Sequence, residues 1–376
     1  MKKIKRDQCV ISGSEKFETL HVFKNFPVFM GCTDQLPESD LTADMEWIFF
    51  NESGMIQLRE PLPLDIVYSE FHNSGCVGRL WELHHSKFAE FIGKTKPKNI
   101  LEIGGGHGIL SLNYDKIENT NWTIIEPNPT PLKNVKANFI KGFFDEDFKT
   151  EMSIDAIVHS HVFEHLYNPK IFIENISNIL EEGKELIFSI PNMNEMLRRK
   201  YTNFLNFEHT YFLSEEYVYF LLSSNNFEIK EKKYFMEDHS IFFRAVKNKS
   251  ITTSLLGEEA LNNKTLFLGY VKHHLELINE LNKKIHNTSS NVYLFGAHVF
   301  SQYLFSFGLE QSKISFILDN DTKKQGKRLY GTDLFVKSPK TLSEEKNPVV
   351  ILRAGVYNEE IKNDIIENIN ANCVFI

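Results

Sequence analysis

The fold of this chain is decided by one run, Asn99-Ile100-Leu101-Glu102-Ile103-Gly104-Gly105-Gly106-His107-Gly108. It reads as a short apolar strand that ends near an acidic residue, followed by a glycine-rich turn, and Ile109 then begins an apolar helix. A second apolar strand follows and ends in another carboxylate, Glu126. A strand, a tight glycine turn and a helix form the first half of a nucleotide-binding βαβ unit. The acidic residue at the tip of the second strand can accept hydrogen bonds from both ribose hydroxyls.

The spacing of the glycines discriminates between nucleotides. The G-x-G-x-x-G/A fingerprint of dinucleotide sites fails here, because its third small position falls on Ile109. The glycines at 104, 106 and 108 follow Glu102 in an E-x-G-x-G-x-G pattern. This pattern resembles motif I of the class I S-adenosylmethionine (SAM)-dependent methyltransferases, and residues 154–165 resemble motif IV of that family and the helix after it. A lone glycine turn also occurs as a purely structural feature, but Glu126 at the correct spacing favours a cofactor site.

The resemblance implies that SAM is the cofactor and that it contacts six residues: Glu102, Gly104, Gly106, Gly108, Glu126 and His161. Ligands of parallel α/β sheets bind at the carboxyl ends of the strands. His159 and His161 flank such an end, so we also regard both as second-line contacts of the acceptor substrate.

Composition restricts the class of protein. A chain of 376 residues exceeds the usual size of one domain, so two or three domains are expected. The formal net charge of −8 argues against a nucleic-acid-binding protein, which should present a basic face. No apolar run is long enough for a membrane span, and no apolar segment of a signal peptide follows the basic N-terminus. Four scattered cysteines fit reduced thiols better than a disulfide framework. We therefore predict a cytoplasmic protein, monomeric or homodimeric.

The pattern of elements predicts an α/β fold. A helix is expected over 79–93, and strand and helix patterns then alternate to about residue 245, as in a mostly parallel sheet with helices on both faces. The polar run 247–250 indicates a boundary, and a second, smaller α/β pattern begins at residue 291 after a long amphipathic helix. We predict three domains: an N-terminal module over 1–70, a Rossmann-like class I methyltransferase core over 71–247, and a Rossmann-like C-terminal α/β domain over 248–376.

The whole chain resembles the three-part sugar C-methyltransferases of deoxysugar biosynthesis. Residues 207–214 are similar to the family segment Y-x-E-H-x-x-Y-F-S, and Gly296-Ala297 after a strand is similar to the start of its C-terminal domain. Residues 318–332 are similar to a longer family segment that contains D-x-n-x-x-K-q-G and a later glycine. The resemblance implies a nucleotide-linked sugar as the small-molecule partner, with neither nucleic acid nor membrane as a partner.

The N-terminus departs from this family, whose module binds zinc through two Cys-x-x-Cys pairs. A structural zinc ion needs four cysteine or histidine ligands. Here Cys9 is followed by Ser12 at the second position, and the other pair is replaced by Phe50 and Ser53. We therefore predict a degenerate module without a metal ion.

The candidate catalytic residues are His209, Glu208 and His72. A histidine is suited to act as a general base because its pKa is near neutrality, and we predict that the neighbouring Glu208 orients His209. The family has a tyrosine two residues before the Glu-His pair, where this chain has Asn206. A further family tyrosine falls in the region 68–74, in which His72 is a candidate partner of the base.

A structural interpretation remains open for each of two sets of residues. For His209, the alternative to a catalytic role is that it caps the helix that begins near Ser214. For Glu164 and His165, which follow motif IV, the alternative is a role in packing and hydrogen bonding only. The function predicted overall is SAM-dependent methyl transfer to a nucleotide-activated sugar or related metabolite, in glycan or secondary-metabolite biosynthesis, with carbon as the favoured atom. The alternatives are O- or N-methylation of a similar sugar, which Asn206 motivates, and a non-catalytic protein that binds SAM or a nucleotide sugar.

Overall fold

The computed structural model describes residues 4–68, 78–117, 120–256 and 261–376. The N-terminal part holds a three-stranded antiparallel sheet in the order β1-β3-β4. Its strands are β1 (Phe17–Pro27), β3 (Thr42–Phe50) and β4 (Ile56–Leu58), and the short β2 (Cys32–Thr33) lies between the first two in sequence. The side chains of β4 and of the end of β3 are buried throughout.

The central sheet has seven strands in the order β10-β11-β9-β8-β5-β6-β7. β11 runs antiparallel to both of its neighbours, and the other pairs are parallel. The order reverses at β5, whose neighbours are β6 and β8, and ligands bind outside the carboxyl ends of strands at such a switch point. The strands are β5 (Asn99–Ile103), β6 (Asn121–Glu126), β7 (Asn138–Lys141), β8 (Ala156–Ser160), β9 (Glu185–Pro191), β10 (Phe227–Phe235) and β11 (Ser240–Lys247).

The C-terminal part has a second parallel sheet of five strands in the order β15-β13-β12-β16-β17. A two-stranded ribbon pairs β14 with β2 and so connects the C-terminal part to the N-terminal part. The strands are β12 (Val292–Phe295), β13 (Ile314–Leu318), β14 (Arg328–Leu329), β15 (Val336–Lys337), β16 (Val349–Leu352) and β17 (Val374–Phe375).

Helices pack on these sheets through apolar stripes. α4 begins at Pro169, and Asn168 caps it by accepting a hydrogen bond from the Ile171 N–H at 3.3 Å. Among the helices of the described residues, none is long and apolar enough to cross a lipid bilayer. The helices are α1 (Leu64–Val67), α2 (Arg79–Ile92), α3 (Ile109–Tyr114), α4 (Pro169–Ile179), α5 (Met193–Arg198), α6 (Glu215–Ser224), α7 (Asn262–His286), α8 (Val299–Ser306) and α9 (Asn358–Asn368).

The mixed α/β class, the Rossmann-like core and the second α/β unit are confirmed. β7 was not predicted, because its four residues are exposed or half-buried and show no apolar run. The predicted domain boundaries stay predictions.

The predicted degenerate zinc turns face each other in the N-terminal part. Sγ of Cys9 lies 3.2 Å from Oγ of Ser53, and the Ile11 and Ser12 N–H groups point to the same sulfur at 3.4 and 3.3 Å. A thiol and a hydroxyl therefore satisfy each other where the family places thiolates. The predicted absence of metal from this module stays a prediction.

The N-terminal and C-terminal parts are joined by a buried ion pair. Nη1 and Nη2 of Arg328 contact the Asp40 carboxylate at 2.6 and 2.8 Å, and both side chains are almost inaccessible. A Cβ atom on Gly331 would come within 2.3 Å of Pro27, so the two parts approach too closely there for any larger residue. The segment that resembles the family's D-x-n-x-x-K-q-G run thus leads into a docking surface.

A buried arginine joins the N-terminal part to the central domain. Arg6 donates to the carbonyl oxygen of Leu58 at 3.1 Å, to that of Thr210 at 2.5 Å and to that of Tyr167 at 3.4 Å. Burial lowers the pKa of Arg6 to about 10, and the guanidinium therefore stays charged near neutral pH. Planar guanidinium groups suit this task because their donors point in several fixed directions. We call this group of contacts the Arg6 clamp.

We expect Arg6→Met to lower the free energy of unfolding by about 3 kcal/mol, because buried carbonyl oxygens lose charged donors. Arg198→Met is a matched control, since the Arg198 side chain is 61% exposed and its ion pair with Glu195 should contribute less than about 1 kcal/mol. Urea denaturation followed by circular dichroism measures both. Equal stability of the two variants would show that the Arg6 clamp is energetically unimportant.

Candidate functional site

The glycine turn after β5 combines close packing with an open face. Gly104, Gly106 and Gly108 all have positive φ, at 76°, 28° and 73°. A Cβ on Gly104 would come within 2.7 Å of Val162, so that glycine is needed for packing against the loop after β8. A Cβ on Gly106 would meet nothing within 4 Å. The turn therefore leaves the backbone at Gly106 open to a ligand.

Glu126 stands beside this open face. Its Oε2 accepts a hydrogen bond from the Gly106 N–H at 3.2 Å, and its Oε1 accepts one from the Asn128 N–H at 3.1 Å. A carboxylate has about four lone-pair sites, so both oxygens can accept further hydrogen bonds. The predicted role of Glu126 as acceptor for a ribose is compatible with this geometry.

Glu102 supports the turn from below. The residue is 3% exposed, and its Oε2 accepts a hydrogen bond from the indole N–H of Trp122 at 2.7 Å. A Cβ on Gly105 would come within 2.6 Å of the Glu102 carboxyl carbon, so the carboxyl group packs directly beneath the turn. Burial raises the pKa of Glu102 to about 8. A direct contact between Glu102 and the cofactor stays a prediction.

The loop that carries His209 is built around Asn206. Oδ1 of Asn206 accepts hydrogen bonds from the N–H groups of both Glu208 and His209 at 2.8 Å. The residue that replaces the family tyrosine therefore holds the turn on which the Glu-His pair lies. Asparagine side chains commonly organise turns in this way.

The orientation of His209 differs from the prediction. Its Nδ1 lies 2.8 Å from the carbonyl oxygen of Phe204. Because a carbonyl can only accept, Nδ1 carries the proton and Nε2 of the neutral ring is the basic nitrogen. The carbonyl of Phe204, and not Glu208, thus orients the ring through Nδ1. The alternative that His209 caps the helix near Ser214 is wrong, since Nδ1 bonds to an upstream carbonyl.

Glu208 lies next to a different histidine. Its Oε2 is 3.8 Å from Nδ1 of His165, and the Tyr68 hydroxyl is 3.2 Å from the same nitrogen. The rings of His165 and His209 meet edge to face with centroids 4.9 Å apart. Possible ligand atoms of Glu164, His165 and His209 all lie within 4.8 Å of one another. We call Tyr68, Glu164, His165, Glu208 and His209 the base cluster.

Glu164 is the buried carboxylate of the base cluster. It has no exposed surface, and neither carboxylate oxygen has a hydrogen-bond partner among the described residues. Its Oε1 is 3.1 Å from Nδ1 of His161, but the atoms are not aligned for a hydrogen bond. Burial raises the pKa of Glu164 to about 7. A buried, unsatisfied carboxyl group with such a pKa is typical of a catalytic or substrate-binding group, and the packing interpretation of Glu164 and His165 stays an open alternative.

The remaining predicted residues, His72, His159 and His161, are not part of the base cluster. His72 lies outside the described residues. The expectation for His159 is wrong, because the ring is fully buried among Phe163, Phe172 and Phe188 and cannot reach an acceptor. The ring of His161 lies against Trp81, with centroids 4.9 Å apart, and its contact with the cofactor stays a prediction.

Comparison with known families agrees with this geometry. Residues 79–232 match the family model of a methyltransferase domain, and residues 253–376 match that of a C-methyltransferase C-terminal domain. The chain is a class I SAM-dependent methyltransferase with a C-methyltransferase C-terminal domain. It is therefore an enzyme that uses SAM.

Solved structures were also compared with this methyltransferase. A SAM-dependent methyltransferase from Clostridium acetobutylicum is 13% identical, with 44% of this chain and 92% of that chain covered and a TM-score of 0.35. Magnesium protoporphyrin IX methyltransferase from Synechocystis, with bound SAM, is 13% identical, with 48% and 89% covered and a TM-score of 0.35. No curated protein sequence matches the chain.

The residues of the glycine turn fit SAM. The open backbone at Gly106 leaves room for a ribose, and the spare lone pairs of Glu126 can accept its hydrogen bonds. The turn lacks the glycine spacing with which dinucleotide sites bind a diphosphate. SAM supplies an electrophilic methyl group on its sulfonium. Sequence reasoning missed Asn206 and Phe204 as the residues that position His209, because a backbone carbonyl and an Asx-type turn leave no motif.

We expect Gly106→Val to abolish SAM binding by this methyltransferase. The substitution puts a β-branched side chain into the open face and strains a backbone with positive φ. Isothermal titration calorimetry with SAM measures the effect, and Gly269→Ala, within α7, is the control that should bind normally. Tight NAD binding by the wild type without SAM binding would contradict the cofactor assignment.

We expect Glu102→Gln to remove part of the pH dependence of stability. The folded-state pKa of Glu102, about 8, lies above its unfolded value, so the folded protein keeps a proton that the unfolded chain releases. This contribution to stability is complete at acidic pH and is lost as pH rises from about 4.5 to 8. The variant should therefore gain stability relative to the wild type across that interval. Urea denaturation at pH 5, 6, 7 and 8 measures this difference, and Glu90→Gln, which changes an exposed side chain of α2, is the control. A stability difference between variant and wild type that stays constant over these pH values would refute the prediction.

Proposed function

We propose that this methyltransferase methylates a carbon atom next to a carbonyl group in a nucleotide-activated sugar. The observation that carries the proposal is the position of the basic Nε2 of His209 within the base cluster, beside a buried carboxyl group. A carbon nucleophile requires removal of a proton next to the carbonyl, whereas methyl transfer itself needs mainly alignment. The likeness of the C-terminal domain to those of C-methyltransferases supports carbon as the acceptor atom.

His209 is the proposed general base. Its Nε2 takes the carbon-bound proton, and the hydrogen bond from Nδ1 to Phe204 holds the ring in the tautomer that this step needs. Because Asn206 fixes the backbone of His209 by a 2.8 Å hydrogen bond, the ring does not have to be ordered during the reaction.

Tyr68 is the proposed donor to the enolate oxygen that develops on the sugar. Burial raises the pKa of its hydroxyl, which therefore keeps its proton at neutral pH. A neutral phenol donates a hydrogen bond to an oxyanion without introducing a charge into the site. His165, 3.2 Å from this hydroxyl, holds it in position. The family has a tyrosine where this chain has Asn206, and in this proposal Tyr68 supplies the phenol in its place.

The nucleotide part of the acceptor rests on family resemblance. One cavity of about 820 Å³ adjoins α5 and the β10–β11 turn, and its lining includes Glu195, Glu215, Glu216 and Glu237 but one arginine, Arg198. This excess of carboxylates repels a diphosphate. We therefore assign the cavity no role in nucleotide binding and place the sugar at the base cluster.

O- or N-methylation of a similar sugar is the second candidate function. Asn206 in place of the family tyrosine favours it, because an oxygen or nitrogen nucleophile needs fewer acid and base groups. A neutral amine in particular can attack without prior loss of a proton.

We expect His209→Asn to reduce turnover by about 10²–10⁴-fold, the usual effect of removing a positioned acid or base. SAM affinity should change little, since the loop lies outside the glycine turn. Turnover is measured by the release of S-adenosylhomocysteine with a panel of nucleotide-linked keto sugars, and His273→Asn, on the exposed side of α7, is the control. Near-normal turnover of His209→Asn would exclude His209 as the base.

Solvent exchange separates carbon from oxygen or nitrogen. In deuterium oxide the wild-type enzyme should incorporate deuterium beside the sugar carbonyl in the absence of methyl transfer, and His209→Asn should not. Mass spectrometry of the recovered sugar detects the exchange. A methylated product without any exchange would favour O- or N-methylation.

A further inference from the structure

Three histidines from distant parts of the chain meet beside the carboxyl edge of the central sheet. His84 lies on α2, His161 follows β8, and His239 lies in the turn between β10 and β11. One ring nitrogen of each lies within 4.8 Å of the others. The ring centroid of His84 lies 5.3 Å from the ring centroid of His161 and 5.4 Å from that of His239. We call these residues the three-histidine cluster.

The cluster is distinct from the base cluster in its residues and in its chemistry. It contains no carboxylate, and its members are held by hydroxyl groups. Nε2 of His84 lies 2.9 Å from Oγ of Ser189, and Nδ1 of His239 lies 2.6 Å from Oγ of Ser240. Nε2 of His161 lies 2.8 Å from the same Ser240 oxygen. One hydroxyl group therefore links two of the three rings.

One nitrogen of the cluster is left unsatisfied. His84 is fully buried, and its Nδ1 has no hydrogen-bond partner among the described residues. A buried polar atom without a hydrogen-bond partner destabilises the folded protein, so its presence needs an explanation. With Nε2 bonded to Ser189 as a donor, Nδ1 presents a lone pair.

The backbone and the surrounding rings add to this arrangement. His161 has a φ of 53°, a left-handed conformation that is uncommon outside glycine, although histidine adopts it more often than most residues do. Residues in such conformations cluster at functional sites. The indole of Trp81 packs edge to face against His84, His161 and His239, with centroids 5.2, 4.9 and 4.9 Å away. It covers the three rings on the side of α2.

The side chains of the cluster suit metal coordination. An imidazole ring binds a transition-metal ion through the lone pair of one of its nitrogens, and one ring nitrogen of each histidine lies within 4.8 Å of the others. Nδ1 of His161 lies 3.1 Å from the Glu164 carboxyl group, so the three-histidine cluster adjoins the base cluster at this residue.

We propose that His84, His161 and His239 bind one divalent transition-metal ion of the zinc and cobalt class. Three neutral imidazoles suit such an ion better than magnesium or calcium, which prefer oxygen ligands. Three protein ligands leave one tetrahedral position for water or a substrate oxygen. The site is independent of the N-terminal turns around Cys9, and it does not depend on which acceptor atom the enzyme methylates.

The test uses the full-length protein stripped with a chelator and titrated with Co²⁺, followed by absorption spectroscopy and by competition with a chromophoric chelator. We expect one ion per chain and a ligand-field spectrum without a thiolate charge-transfer band. His161→Asn and His239→Asn should each weaken binding by more than about 100-fold, beyond the usual effect of outer partners, and Ser240→Ala by about 10–100-fold. Asparagine tolerates the left-handed backbone at position 161, which favours a folded variant.

The controls separate this site from the two others that contain possible ligands. His209→Asn, which alters the base cluster, should bind Co²⁺ as the wild type does. Circular dichroism and urea denaturation confirm that each variant is folded. The proposal is overturned if the wild type takes up no ion, if a thiolate band places the ion beside Cys9, or if His209→Asn weakens binding and His239→Asn does not.

Discussion

The Arg6 clamp is the interaction on which the loop that carries His209 depends. The guanidinium binds the carbonyl oxygens of Leu58, Tyr167 and Thr210, which belong to the N-terminal sheet, the segment after the base cluster, and the loop of His209. The same loop is tied to the N-terminal sheet by backbone hydrogen bonds from Leu58 to Thr210 and from Phe212 to Ile56 at 2.9 and 2.8 Å. The module that resembles a zinc-binding domain therefore supports the loop that carries His209 from one side.

This role explains how the module keeps its shape with one of the family's thiolates. In a zinc module the metal ion joins two turns, whereas here Cys9 and Ser53 contact each other directly and the surrounding strands are buried. The ion pair of Arg328 with Asp40 fixes the other side of the module to the C-terminal part. Because removing one partner of a buried ion pair leaves an uncompensated charge, such a pair specifies how two parts dock even where its net contribution to stability is small.

The sequence allowed most of the fold and the cofactor turn to be predicted, because both depend on local patterns. Apolar strands that end at glycines or carboxylates are visible in any chain, and β5 and β6 were predicted from the run at 99–108 and from the strand that ends at Glu126. The arrangement of the base cluster was not predictable in the same way. Glu164 and His165 meet His209 only after the loop has folded back across the sheet, and no spacing rule connects them. Arg6 was read as part of a basic N-terminus because nothing local distinguishes a buried arginine from an exposed one.

Burial decides what each acidic residue of the site can do. Glu102 and Glu164 are both fully enclosed, and both have raised pKa values, but Glu102 is satisfied by an indole N–H whereas Glu164 has no donor among the described residues. Glu126, half-buried at the strand tip, accepts two backbone N–H groups and still offers lone pairs. The same side-chain chemistry therefore has different uses, which depend on the surrounding residues. Glu102 supports the glycine turn, Glu164 lies in the base cluster without a donor among the described residues, and Glu126 can offer acceptors to a ribose. His209 follows the same rule, since the carbonyl of Phe204 determines which ring nitrogen keeps its lone pair.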